Sequence, residues 1–161
     1  MPSFIGVRHV GLAAKNPAML AEFYRNVMGM TVVGESLVGS RFGASVFLGA
    51  HHEEEDHDVV FFDNPAAAHT AFKVASLGDL QTFYRQVKAQ GVSIKVTLNH
   101  GSSLAFYFDD PERNVIEIYW ATGVDVRQPY ADPIDLDLQE EELLRDVARV
   151  AEAFGLPVPP T

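Results

Sequence analysis

Cysteine is absent from the 161 residues. That removes disulfides, thiol nucleophiles and thiolate-bound zinc together, so any metal must be held by His, Asp or Glu. Positive charge is scarce: 12 Lys and Arg stand against 22 Asp and Glu, a formal net charge of −10. With no basic stripe to displace counterions from phosphate, the composition speaks against nucleic acid as a partner. No apolar run approaches the roughly 18 residues needed to span a bilayer. The first ten residues lack a signal-peptide pattern. The expectation is a soluble, cytoplasmic protein with no membrane contact. What is present, 47% hydrophobic residues with 11 Phe and 5 Tyr, is enough for one globular core.

The chain repeats itself at an offset of sixty residues. His9/His69, Leu20/Leu80, Phe23/Phe83, Tyr24/Tyr84, Arg25/Arg85, Val27/Val87 and Val32/Val92 match without a gap, and the tripeptide Phe-Tyr-Arg recurs intact. Such self-similarity marks a duplicated supersecondary unit. Each copy opens on an alternating strand, Ile5 to Ala13 and then His69 to Ala75. A helix follows, with Asn16 as N-cap and Pro17 at its first position in one copy, and Ser76 as cap and Gly91 as stop in the other. Three strands complete each copy: Thr31–Glu35, Ala44–Leu48 and Asp58–Phe62, then Ser93–Leu98, Leu104–Phe108 and Asn114–Trp120. The fold class expected is α+β, two βαβββ modules of about residues 4–63 and 64–123 paired around a cleft within one domain, 1–123. Beyond it, residues 124–161 read as a polar linker (Asp125 to Asp137), a helix with one apolar stripe from Leu138 to Phe154, and a tail. That helix is expected to pack on its own sheet in preference to forming a dimer contact.

Several polar residues sit where strands should be apolar. His9 and His69 occupy equivalent positions of the repeat, and in both copies the residue two further on is small, Gly11 and Ala71. A lone strand histidine is more often a hydrogen-bonded core residue, but pseudo-twofold pairing would bring two equivalent ones together. Glu117 interrupts Val115-Ile116-Glu117-Ile118-Tyr119-Trp120, and an ionised carboxylate is almost never buried without a partner. The alternative is an edge strand with Glu117 facing water. Two imidazoles and a carboxylate from different strands make a facial set for divalent iron with open positions. The same offset sets His57 opposite Glu117, as a fourth ligand or an acid–base group. His100 precedes a Gly-Ser-Ser turn, and Tyr107 faces opposite its neighbours Phe106 and Phe108; an imidazole can shuttle protons and a phenol can donate to an oxyanion. The polar run at 51–56 reads as a solvated loop without a chemical role.

The stretch from Asn99 to Tyr119, with its Asp-Pro-x-x-Asn turn at Asp110 to Asn114, and Arg8-His9-Val10-Gly11-Leu12 at the start resemble the vicinal oxygen chelate superfamily over about residues 4–122. Within it the likeness is to type I extradiol dioxygenases, which cleave the ring of catechols. That resemblance implies Fe(II), or Mn(II), held by His9, His69 and Glu117. It implies His57 as the catalytic histidine, Tyr107 as the catalytic tyrosine, and His100 as a further pocket histidine. His57 or His100 would take a proton from an aromatic diol that reacts with O2, while Tyr107 donates to the substrate oxygen. Phe42, Phe47, Phe61, Phe106 and Trp120 supply bulk for an aromatic pocket. One departure is Arg113, where the turn usually has glycine. A homodimer is expected. Two rivals share the fold: a glyoxalase I-like lyase or isomerase with His57 as fourth ligand, and a metal-free protein that sequesters small molecules.

Overall fold

Local chemistry starts and stops the helices where the sequence asks. In the computed structural model, which describes residues 2–36, 43–50 and 57–158, strand β1 (Phe4–Ala13) leads into helix α1 (Pro17–Met28). Asn16 Oδ1 accepts from the Met19 amide at 3.0 Å, Pro17 takes the first helical position, and Gly29 closes the helix at φ 71°. Strands β2 (Thr31–Ser36), β3 (Ser45–Gly49) and β4 (Val59–Phe62) follow, then a 3₁₀ turn at Pro65–Ala67. The second copy runs β5 (His69–Val74), α2 (Leu77–Ala89), β6 (Ile94–Asn99), β7 (Ser103–Asp109) and β8 (Val115–Ala121). Here Ser76 Oγ accepts from the Asp79 amide at 3.0 Å. A two-residue strand β9 (Asp132–Pro133) and helix α3 (Glu140–Ala153) come last. The order β-α-β-β-β therefore occurs twice, in a mixed sheet with three helices, as expected for the α+β class. Phe42 and the polar run 51–56 lie outside the described residues.

The chain forms two compact units. One comprises Arg8–Ala71 and Arg127–Pro129, the other Met1–Val7, Phe72–Val126 and Tyr130–Thr161. In the first, the strand order is β2-β3-β4-β1. β1 and β4 run parallel with Val10 opposite Val59 and Gly11 opposite Val60, while β3 joins its neighbours antiparallel. Helix α1 covers one face through Ala21, Leu20 and Tyr24 against Val46, Leu48, Val59 and Phe61. The opposite face carries Phe47, Val60 and Phe62. By alternation, His9 and Gly11 share this second face.

In the other unit the order is β5-β8-β7-β6-β9. Its core joins Leu77, Leu80 and Tyr84 of α2 with Leu104, Phe106 and Ile118 of the sheet. Leu143, Val147, Val150 and Ala151 of α3 are buried in the same core, so α3 packs on its own unit. The segment expected as a polar linker is bound more tightly than its composition implies. Val124, Val126 and Leu136 are buried, β9 pairs with β6, and Gln81 Nε2 donates to the carbonyls of Leu136 and Leu138 at 3.0 and 2.8 Å. Its buried apolar residues alternate with exposed Asp125 and Arg127, a period that the surrounding prolines and charges masked.

Candidate metal and proton-transfer site

β1 and β5 each place one histidine, and the two meet. His9 Nε2 stands 3.2 Å from His69 Nε2. His69 donates its Nδ1 hydrogen to the Ala67 carbonyl at 2.8 Å, which leaves the Nε2 lone pair directed at His9. The carbonyl is held by the 3₁₀ turn, which Asn64 caps by accepting from the Ala66 amide at 3.0 Å. Two nitrogens about 2.1 Å from one ion at right angles would stand about 3 Å apart. The pair therefore fits a shared cation. Gly11 makes the approach feasible: a Cβ there would lie 2.9 Å from His69 Cε1 and Nδ1 and 3.0 Å from Phe62 Cε2. The small residue two after His9 thus makes room for the other histidine, His69.

His57 lies two residues before β4, outside any strand, partly buried. Its ring centroid is 4.2 Å from that of His9 and 5.1 Å, edge-on, from that of Phe47. The first unit accordingly gathers three of the chain's six histidines on or beside one sheet face.

The second unit brings together Glu117, Tyr107 and His100. Glu117 is 2% exposed in β8, a strand flanked on both sides, so the edge-strand alternative does not apply. Tyr107 sits directly opposite it in β7. Burial pushes the Tyr107 phenol well above its usual pKa, and the charge and hydrogen bond of Glu117 push the same way. The hydroxyl is also 3.0 Å from His100 Nε2. His100 Nδ1 in turn donates to the Tyr130 carbonyl at 2.7 Å. The result is a row, Tyr130 carbonyl, His100, Tyr107, Glu117, along which a phenol proton has two acceptors.

Of the expected pocket aromatics, Phe47 faces His57, whereas Phe61 and Phe106 are fully buried on the helix-covered faces. Trp120 is partly buried against the core of the second unit. The turn after β7 is as the sequence suggests: Arg113 has φ 68°, and Asp110 accepts from the amides of Glu112 and Asn114 at 2.9 and 2.8 Å. Two contributors were not foreseen, the carbonyls of Ala67 and Tyr130. Backbone oxygens carry no residue-type signature.

A family model described as "Glyoxalase/Bleomycin resistance protein/Dioxygenase superfamily" matches residues 6–118. Biphenyl-2,3-diol 1,2-dioxygenase 3 of Rhodococcus globerulus is 33% identical over 114 residues, covering 63% of this chain and 55% of that protein. Among solved structures, a catechol 2,3-dioxygenase matches with TM-score 0.63 at 20% identity, over 84% of this chain and 49% of the other. A Mn(II)-bound glyoxalase from Novosphingobium aromaticivorans matches with TM-score 0.61 at 21% identity, over 74% and 40%. The chain spans about half the length of the curated relatives it matches. At these identities the structural likeness establishes the fold alone.

Proposed function

The chain belongs to the glyoxalase/bleomycin resistance protein/dioxygenase superfamily, and from that membership we propose that it is a metal-dependent extradiol dioxygenase, cleaving the ring of a catechol-type diol with O2. The observation that carries the reading is the His9–His69 pair, with Nε2 atoms 3.2 Å apart and His69 fixed through Nδ1. His9, His69 and Glu117 would hold a divalent ion, Fe(II) or else Mn(II). When bound, the ion supplies Lewis acidity toward the diol and the redox chemistry with O2.

The protein's own part is positioning and proton movement. His57 and His100 are the proposed acceptors for a diol proton. The phenol of Tyr107, kept protonated by burial and by Glu117, is the proposed donor to the substrate oxygen. The biphenyl-2,3-diol dioxygenase relative makes an aromatic diol the proposed substrate class. A sequestering protein has no use for a converging imidazole pair. A glyoxalase-like lyase or isomerase would use His57 as a further ligand, which its closeness to His9, ring centroids 4.2 Å apart and tilted at 43°, also allows. The reading takes the protein as cytoplasmic and homodimeric; no helix among the described residues is long and apolar enough to cross a membrane.

Oxygen uptake by anaerobically Fe(II)-loaded protein on addition of a panel of catechols tests the proposal, with His69→Ala as control. Uptake matched by ring-opened product, lost in the control, is the expected result. No uptake by protein holding one tight divalent ion would overturn it in favour of the lyase or isomerase.

A further inference from the structure

The family match ends at residue 118, yet a later part of the chain reaches the proposed proton-transfer row. His100 lies between two partners, the Tyr130 carbonyl at 2.7 Å from Nδ1 and the Tyr107 hydroxyl at 3.0 Å from Nε2. A carbonyl oxygen only accepts, so Nδ1 must carry the hydrogen. In the neutral ring Nε2 then holds the lone pair, and it faces the phenol. A backbone atom of the segment after β8 therefore selects the tautomer of His100.

That carbonyl is held from several directions. The Tyr130 hydroxyl donates to Asp132 Oδ2 at 2.7 Å, and its ring meets Phe154, at the end of α3, edge-on at 5.3 Å. Asp132 lies in β9, paired with Asn99, the residue before His100. Asn99 is itself wholly buried. Its Oδ1 accepts from the Gly101 amide at 2.7 Å, and its Nδ2 donates to Asp146 of α3 at 2.8 Å. Asn99, before His100, is thus tied to both β9 and α3, Gly101 after it is tied to the Asn99 side chain, and α3 is anchored by four buried apolar side chains. A segment that only covered the sheet would not need directed hydrogen bonds both to the imidazole and to the residue before it.

We infer that residues 130–154 are a positioning device for His100: the Tyr130 carbonyl fixes the Nδ1–H tautomer and so presents Nε2 to Tyr107 as a proton acceptor. The inference rests on the dioxygenase reading for its catalytic meaning, and Tyr130, Asp132 and Phe154 are positioning residues within it. Without this restraint the ring would exchange between tautomers and spend part of its time with Nε2–H pointed at the phenol, unable to accept.

The test is long-range ¹H–¹⁵N spectroscopy of the full chain labelled at histidine nitrogen, above the histidine pKa, with His100 assigned from its loss in His100→Gln. The wild type should show a single Nδ1–H form at His100. Tyr130→Phe keeps the ring and removes the tie to Asp132. Phe154→Ala alters a side chain that is half exposed, so folding should survive. In both variants the two His100 nitrogen shifts should move toward each other, and kcat for a turned-over diol should fall about tenfold with KM little changed, a fraction of what a general acid–base group contributes. An Nε2–H form in the wild type, or His100 signals unmoved in both variants, would overturn the inference. The expected spectra with no diol turnover by the wild type would instead overturn the enzymatic reading alone.

Discussion

At the scale of single residues, His69 shows how little of a site has to be unusual for the whole to be specific. Its Nδ1 is spoken for by Ala67, its ring lies 5.9 Å from that of Phe62, and Gly11 leaves room beside Cε1. Gly11→Ala would put a methyl group 2.9 Å from the imidazole. The ring must then shift, and Mn(II) affinity measured by calorimetry should fall about 10–100-fold, the usual cost of disturbing the surroundings of a ligand, with the circular dichroism unchanged. Asp110 offers a second check. Its carboxyl is held below the usual range by the Asn114 side chain and amide, with the Glu112 amide adding to them. A carboxylate with a depressed folded-state pKa stabilises the fold above its unfolded pKa of about 3.9 and loses that contribution as pH falls through the folded value. Asp110→Asn should therefore lower the denaturation midpoint at pH 7, and the gap from wild type should close below about pH 4. His9, His69 and Glu117 were legible because a polar side chain in an apolar strand needs a reason. The carbonyls of Ala67 and Tyr130 were not, because every residue has one.

At the scale of elements, the duplicated helices separate local from tertiary causes. Both carry Phe-Tyr-Arg, both begin at a side-chain cap, and both turn the tyrosine toward their own sheet core. The phenylalanines differ. Phe83 is stacked against Phe4 with ring centroids 4.1 Å apart and packs on the core, whereas Phe23 is 56% exposed beside Met19 and Val27. Phe83→Ala should cost about 2–3 kcal/mol, since it empties a packed position. Phe23→Ala should cost about 0.5 kcal/mol or less, as exposed substitutions do. Urea melts of the two variants side by side make the comparison, with equal losses as the outcome that would contradict it. Helical periodicity could not distinguish these two residues, because it reports which face a side chain is on and not whether anything lies against that face. The burial pattern of the segment after β8 escapes a sequence reading for a related reason. Its buried valines alternate over too few residues, among too many charges, to stand out as strand-like.

At the scale of the whole molecule, the proposed ion should act on stability as well as on chemistry. A ligand that binds only the folded chain adds about 2.7 kcal/mol when present at a hundred times its Kd. Mn(II) should accordingly raise the thermal midpoint in a concentration-dependent way, a chelator should reverse the rise, and His69→Ala should abolish it. A rise that survives His69→Ala would point to adventitious binding elsewhere on this acidic chain. What the sequence by itself determined is the repeated βαβββ order, the caps at Asn16 and Ser76, and the identity of the polar residues out of place in strands. Each of these follows from backbone hydrogen bonding and side-chain periodicity within a few consecutive residues. Only the tertiary structure decided that Gly11 makes way for His69, that Phe83 is covered while Phe23 is not, and that Tyr130 rather than a neighbour meets His100. Those outcomes depend on which distant segments come together, and the free energy that selects them is packing and desolvation between parts of the chain that local pattern does not relate.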